Sequence, residues 1–156
     1  MTNDLYQVLY CSRNCMHGTK PQTALEINSI LAASRRNNAR VGVTGALLFN
    51  SILFAQVLEG PIEGVEKIFE QIQRDLRHSD LIVLDSGLIE ARNFPIWSMA
   101  FAGDDSEAPD PLIAATLNAA ISDPSADGKQ VLSMLSNLVL QEEVWALPSR
   151  HPLAFV

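Results

Sequence analysis

Two apolar runs, VGVTGALLFN (41–50) and SILFAQVLE (51–59), stand back to back around Asn50 and Ser51, and they limit the fold more than any other feature of the chain. Each is strand-like, and Asn and Ser suit a tight connection, so the pair reads as a hairpin. In the second run alternation puts Phe54, Gln56 and Leu58 on one face and Leu53, Ala55 and Val57 on the other, so that either face reads as buried.

The flanking segments supply the other elements. Leu5 to Ser12 is a β-rich run with Tyr6, Val8 and Tyr10 on one face and Leu5, Leu9 and Cys11 on the other. RNCMHGTKP is loop chemistry, and a helix is expected from about Thr23 to Asn37 or Asn38, with Ile27, Ile30, Leu31 and Ser34 at helical spacing. Gly60 and Pro61 break the hairpin's second strand, and Val65, Ile68, Phe69, Ile72 and Leu76 then mark one face of a second helix. LIVLDSGLI, ending near Asp85, and IWSMAFAG read as a fourth and a fifth strand. The fold class is therefore α+β: a ferredoxin-like β-α-β-β-α-β-β mixed sheet with two helices on one face. An acidic linker, GDDSEAPDP (103–111), separates it from two more helical patterns, LIAATLNAAI and KQVLSMLSNLVLQEEVW. These C-terminal helices are expected on the opposite face, as core closure or as an oligomer or partner surface. The organisation is read as residues 1–103 and a helical extension, 104–156.

Length and charge narrow the function classes. A chain of 156 residues, 47% of them apolar, suffices for a packed core. Eleven Lys and Arg against 18 Asp and Glu give a net charge of −7, which disfavours duplex nucleic acid or an anionic membrane as partner. No segment approaches the roughly 18 uninterrupted apolar residues of a membrane span, and the N-terminus has no basic-then-apolar leader, so the expected location is cytoplasmic. Cys11 and Cys15 with scattered histidines at 17, 78 and 151 show no zinc spacing, so the thiols read as free and no metal site is expected.

Gln56 is the anomaly in the apolar strand, because an unpaired buried amide costs on the order of 1–3 kcal/mol. Helix spacing offers companions: Asn38 ends the stripe of the first helix, and Asp75 falls on the stripe of the second. Together they outline a slot edged with polar groups and roofed by Ile27, Ile30 and Ile72, suited to a flat heteroaromatic ring. The plainer alternatives are a C-cap role for Asn37 and Asn38 and a solvated helix-end charge for Asp75.

Tyr10 in LYCS, RNNARVGVTGALL (36–48), FAQVLEGP (54–61), IQRDLRHSD (72–80) and RNFPIWSMAFAG (92–103) occur in one order and at one set of spacings. Over about residues 4–103 this resembles the BLUF domain, a blue-light sensor that uses flavin. The tail resembles that of a short stand-alone member, although the turn FNSILF lacks the glycine often found there and Ala55 is smaller than usual. The resemblance implies a noncovalent flavin between the two helices, usually FAD, with FMN and riboflavin as alternatives. It makes Tyr10 and Gln56 the photoactive pair and Asn38 the amide on the ring's O4 and N3 edge. Asn37, Asp75, Arg77 and His78 then line the ring or its polar edge. Ile30, Phe54 and Ile72 supply apolar contacts, Ser34 is counted among the cofactor contacts, and Trp97 and Met99 form the signalling pair of the last strand.

The implied chemistry is a switch and not an enzyme. A phenol in reach of an excited flavin gives it an electron and then a proton, and a glutamine can relay this because its amide has a donor end and an acceptor end. The expected partners are a downstream signalling protein and further copies of the chain, a homo-oligomer. The competing readings are a flavin-dependent oxidoreductase on the same fold, which lacks a glycine-rich dinucleotide fingerprint here, and a flavin-free binding module.

Overall fold

The computed structural model describes residues 4–96, 99–103, 111–123 and 128–139. Its elements run β1 (Leu5–Asn14), α1 (Lys20–Arg40), β2 (Thr44–Phe49), β3 (Leu53–Pro61), α2 (Ile62–Gln73), β4 (His78–Ile89), β5 (Ala100–Gly103), α3 (Pro111–Ser122) and α4 (128–139). The sheet order is β4-β1-β3-β2-β5, antiparallel throughout except for the β2–β5 pair. The first four strands and two helices make the ferredoxin-like unit that the element order predicts, and β5 extends it.

Because β3 and β1 are central, each buries both faces, and the alternation read from sequence holds. Val8, Phe54 and Leu58 join Leu47, Ile27, Leu31, Val65 and Ile68 in a core under α1 and α2. Leu9, Cys11, Leu53, Ala55 and Val57 join a second core with Ile113, Leu117, Val131 and Leu135 from α3 and α4. Leu117, Val131 and Leu135 are fully buried, each contributing roughly 1.5–3 kcal/mol of apolar transfer free energy. The C-terminal helices thus cover the face away from α1 and α2.

Several boundaries differ from the sequence reading, each for a local reason. Helix α1 starts at Lys20, three residues early, because Thr19 and Gln22 form a reciprocal cap: Gln22 N donates to Thr19 Oγ1 at 3.2 Å and Thr19 N to Gln22 Oε1 at 2.8 Å. It runs past Asn37 and Asn38 to Arg40, and the left-handed turn residue is Gly42, with φ of 71°. Asn37 and Asn38 are therefore helical and not C-cap residues. Helix α2 can dock against the end of α1 because Gly64 has no Cβ: one placed there would lie 2.6 Å from the carbonyl oxygen of Val41. The helix ends at Gln73, so Asp75 lies beyond it and not on its stripe. β4 begins at His78 and continues to Ile89 past a bulge at Leu84, since Leu9 pairs with Asp85 and Tyr10 with Val83.

The largest departure concerns the last strand. IWSMAFAG reads as one strand, yet among its described residues only Ala100–Gly103 pair, with β2. Trp97 and Ser98 lie outside the described residues, as do the linker from residue 104 to 110 and the chain from residue 140. Residues 92–94, upstream of this segment, are engaged by groups distant in sequence. Glu59, fully buried, accepts from Asn93 N at 2.8 Å, Asn93 Nδ2 at 2.7 Å and Phe94 N at 2.9 Å, as well as from Gln7 Nε2 at 2.9 Å. Arg92 donates to Thr44 Oγ1, to Glu59 O and to Gly42 O at 2.9, 3.1 and 2.8 Å. Glu59 therefore fixes where the chain leaves β4 and returns toward β5. Replacing Glu59 with Leu leaves the buried Gln7 amide and Phe94 N–H without an acceptor, and urea unfolding is expected to show a loss of about 3 kcal/mol or more. A loss below about 1 kcal/mol would show that these donors find other acceptors.

Candidate functional site

The cleft between α1 and α2 has a volume of about 150 Å³ and a floor made by the sheet. Tyr10 of β1 and Gln56 of β3 are direct cross-strand partners in the β1–β3 ladder, so both point to the helix face. The Tyr10 hydroxyl donates to Gln56 Oε1, and Gln56 Nε2 donates to Met99 Sδ at 3.5 Å. Tyr10 is 3% and Gln56 4% exposed, so this chain of three groups is sealed from water. The partner of the buried glutamine is thus the tyrosine on one side and a thioether, a weak acceptor with no proton to give, on the other.

The phenol is set by its neighbours. The Phe69 ring lies 5.8 Å and the His78 ring 6.2 Å from that of Tyr10, both tilted, and Phe54 meets His78 edge-on at 6.3 Å. His78 is itself pinned at both nitrogens: Nε2 donates to Ile72 O at 2.7 Å, while Nδ1 lies 2.7 Å from Ser12 Oγ. Its ring is a strut between α2 and β1.

The sequence-derived site residues converge except Ile27, read as part of the roof, which lies in the core and not on the cleft wall. Tyr10, Ile30, Ser34, Asn37, Asn38, Phe54, Gln56, Ile72, Asp75, Arg77 and His78 all line the cleft. Asn38 is 1% exposed, and its backbone carbonyl holds the turn after α1 by accepting from Val43 N at 2.9 Å. Asp75, though off the helix, reaches the rim through its own turn, accepting from Arg77 N and Arg77 Nε, both at 2.9 Å. The Arg77 guanidinium holds the Asp75 carboxyl below the usual carboxylate range, so the pair stays charged at the mouth. Met99 is placed just before β5 and not on it, and Trp97 falls outside the described residues. Ala33, Leu47, Ile68 and Gln71 also line the cleft and are not among the residues that sequence reasoning assigns to it; for Leu47 a signal exists in its alternation with Phe49 on β2.

A flavin ring suits this donor set. Leu47, Phe54, Ile68, Ile30 and Ile72 offer apolar surface to a flat ring, and the amides of Asn38 and Gln56 can meet a ring edge that alternates carbonyl acceptors with an N–H donor. Among the described residues no cluster of His, Cys, Asp or Glu is arranged to hold a metal. Both cysteines are free; Cys11 is buried on the opposite face, which pushes its thiol up to about 12.

A family model described as sensors of blue-light using FAD matches residues 5–100. The chain belongs to the BLUF family. The photoactivated adenylate cyclase subunit beta of Euglena longa is 32% identical over 88 residues, 56% of this chain but 10% of that relative. The blue light- and temperature-regulated antirepressor BluF of Escherichia coli (strain K12) is 39% identical over 69 residues, 44% of this chain and 17% of the antirepressor. The chain thus spans a small part of the curated relatives it matches. Among solved structures, the dark state of the BLUF protein BlrB superposes with a TM-score of 0.68 at 29% identity, covering 91% of this chain and 99% of that one. A bacterial light-regulated adenylyl cyclase gives 0.63 at 28% identity, covering 86% and 40%. This BLUF chain is accordingly a flavin-using sensor of blue light, and the oxidoreductase reading is set aside.

Burial first, then the Asp75 carboxylate, pushes the Tyr10 phenol well above its ordinary value of 10.0. A folded-state value raised in this way gives stability that is fully present below the ordinary phenol value and is lost as pH rises beyond it. Unfolding free energy is therefore expected to fall above about pH 10, and Tyr10→Phe should remove about 1.4 kcal/mol per pH unit of that decline. Urea titrations of both proteins between about pH 8 and 11 check it; parallel curves would contradict the burial of the phenol.

Proposed function

We propose that this BLUF domain holds FAD noncovalently in the α1–α2 cleft and reports light through the Tyr10–Gln56–Met99 chain to a separate protein. When bound, the flavin supplies a photo-oxidant that draws an electron and a proton from a phenol beside it. The chain's own groups carry the response from there.

Tyr10 can release its proton along the hydrogen bond it already makes, to Gln56 Oε1, with Phe69 and His78 packed against its ring. Gln56 can answer in two ways: its amide turns, or it passes to the imidic tautomer, taking the Tyr10 proton at Oε1 while Nε2 gives up the one that the photo-oxidant draws. The turn leaves it without the donor that faced Met99. An oxygen turned toward Sδ finds no proton there, so the thioether contact is exchanged for a repulsive one and Met99 is pressed to move. The observation that carries this reading is the pair of bonds on one amide, Tyr10 on its acceptor end and the Met99 thioether on its donor end. Asn38 at the buried end and Asp75 with Arg77 at the mouth would orient the ring, and Ile30 and Ile72 would grip its faces.

In the relatives this sensing unit stands beside other functions: their names speak of adenylate cyclase and of an antirepressor. For this chain we read residues 1–103 as the sensor and the α3–α4 layer as its packing partner. The output is assigned to another protein and not to an enzymatic activity of its own, and self-association into a homo-oligomer and a cytoplasmic location belong to the same reading.

Purified protein should be yellow, shift its visible band to the red under blue light, and relax in darkness. Tyr10→Phe should keep flavin and lose the reversible shift, and Gln56→Leu should do the same. A normal shift in either variant would remove that residue from the mechanism, and bleaching that depends on an added reductant would reopen the oxidoreductase reading.

A further inference from the structure

The connection from β4 to β5 is fastened at two points that differ in kind. At residues 92–94 the fastening is multiple: Arg92 donates three hydrogen bonds, and the buried Glu59 carboxylate accepts three more from Asn93 and Phe94. Phe94 is 1% exposed and belongs to the core under α3 and α4. No single change of partner releases that end.

At the other end, among the described residues, a single side chain binds the backbone. Arg35 Nε donates to the carbonyl oxygen of Met99 at 3.0 Å, joining α1 to the residue that precedes β5, 64 positions along the chain. Arg35 follows Ser34 and lies one turn before Asn38, two residues of the cleft wall. Among the described residues no carboxylate pairs with Arg35, whose guanidinium is partly desolvated while the side chain still reaches water. Among the described residues, its charge rests on a neutral carbonyl. Such a bond is stronger than one between neutral groups, yet letting it go returns the guanidinium to water and leaves no buried charge unpaired.

We propose that Arg35 is a positioning residue of the photoswitch, holding the Met99 backbone on α1 so that the Met99 thioether meets Gln56 Nε2, and releasing it when Gln56 changes ends. The proposal rests on the Tyr10–Gln56–Met99 reading above. Met99 is 1% exposed and packed in the core under α1 and α2, so its side chain has little room to swing free and a push on the thioether is passed to the backbone that Arg35 holds. Return to rest must re-form that bond, so part of its strength is already present when the barrier to recovery is crossed. Loss of the guanidinium should therefore slow recovery without altering the initial photochemistry.

The test compares the full chain with Arg35→Met and Arg35→Lys, both good helix formers at a site with solvent access. Expected is a red shift of unchanged size in both, dark recovery slowed about tenfold in Arg35→Met, and recovery within about threefold of the parent in Arg35→Lys, whose ammonium can reach the same carbonyl. Protein labelled with carbonyl-¹³C methionine supplies a second measurement. Its light-minus-dark infrared spectrum should show a methionine carbonyl moving to higher frequency, with the change absent in Arg35→Met and in Met99→Leu. Recovery of Arg35→Met within about twofold of the parent, failure of Lys to restore the rate, or a methionine carbonyl unmoved by light would each overturn the proposal. Absence of any red shift in the parent protein would instead defeat the sensor mechanism beneath it, and the proposal with it.

Discussion

One register, that of β1 against β3, sets the whole site. It places Tyr10 opposite Gln56 and, three positions away, Gln7 opposite Glu59. Three positions reverse the face, so the same ladder forms a polar cross-strand pair beneath α1 and α2 and another on the side of α3 and α4. A slip of one residue would send one member of each pair through the sheet and leave buried amide, phenol and carboxylate groups without partners. The apolar residues around them tolerate many registers of similar burial. The two polar pairs tolerate one, and in fixing it they also fix the photoactive contact and the exit of the chain toward β5.

Much of this is legible in the residues. The alternation in β1 and β3 assigns their core side chains to the observed faces, and the amide at position 56 is conspicuous because nothing apolar nearby can satisfy it. Legibility fails where backbone groups answer to side chains far away in sequence. Nothing within IWSMAFAG indicates that Glu59 and Arg92 engage the segment just before it, so its β propensity alone suggests a longer strand than its described residues form. Counting by helical spacing puts Asp75 on a stripe, whereas its bond to Arg77 N closes a turn that lies past the helix end. Glu59 does carry a signal: alternation puts it on the face of Leu53, Ala55 and Val57, where a carboxylate demands several donors. Arg35 carries none, since an arginine on a helix surface is ordinary until the residue before β5 is brought to it.

The charges are arranged with some economy around the neutral centre. Glu59 is buried but saturated with donors, Asp75 and Arg77 neutralise each other at the cleft mouth, and Arg35 leans on a carbonyl at the surface. Between them Tyr10, Gln56 and Met99 carry no net charge. That division has an energetic reason. Moving an ion within a sealed pocket would cost several kcal/mol in lost solvation, enough to make one state inaccessible. Exchanging the ends of a neutral amide trades one hydrogen bond for another, at about 1 kcal/mol each. Two arrangements of Gln56 can then lie within a few kcal/mol, which a switch that light sets and thermal motion resets requires. A carboxylate at position 56 would abolish this balance twice over, having no donor for Met99 and adding a charge beside a phenol that burial already keeps protonated.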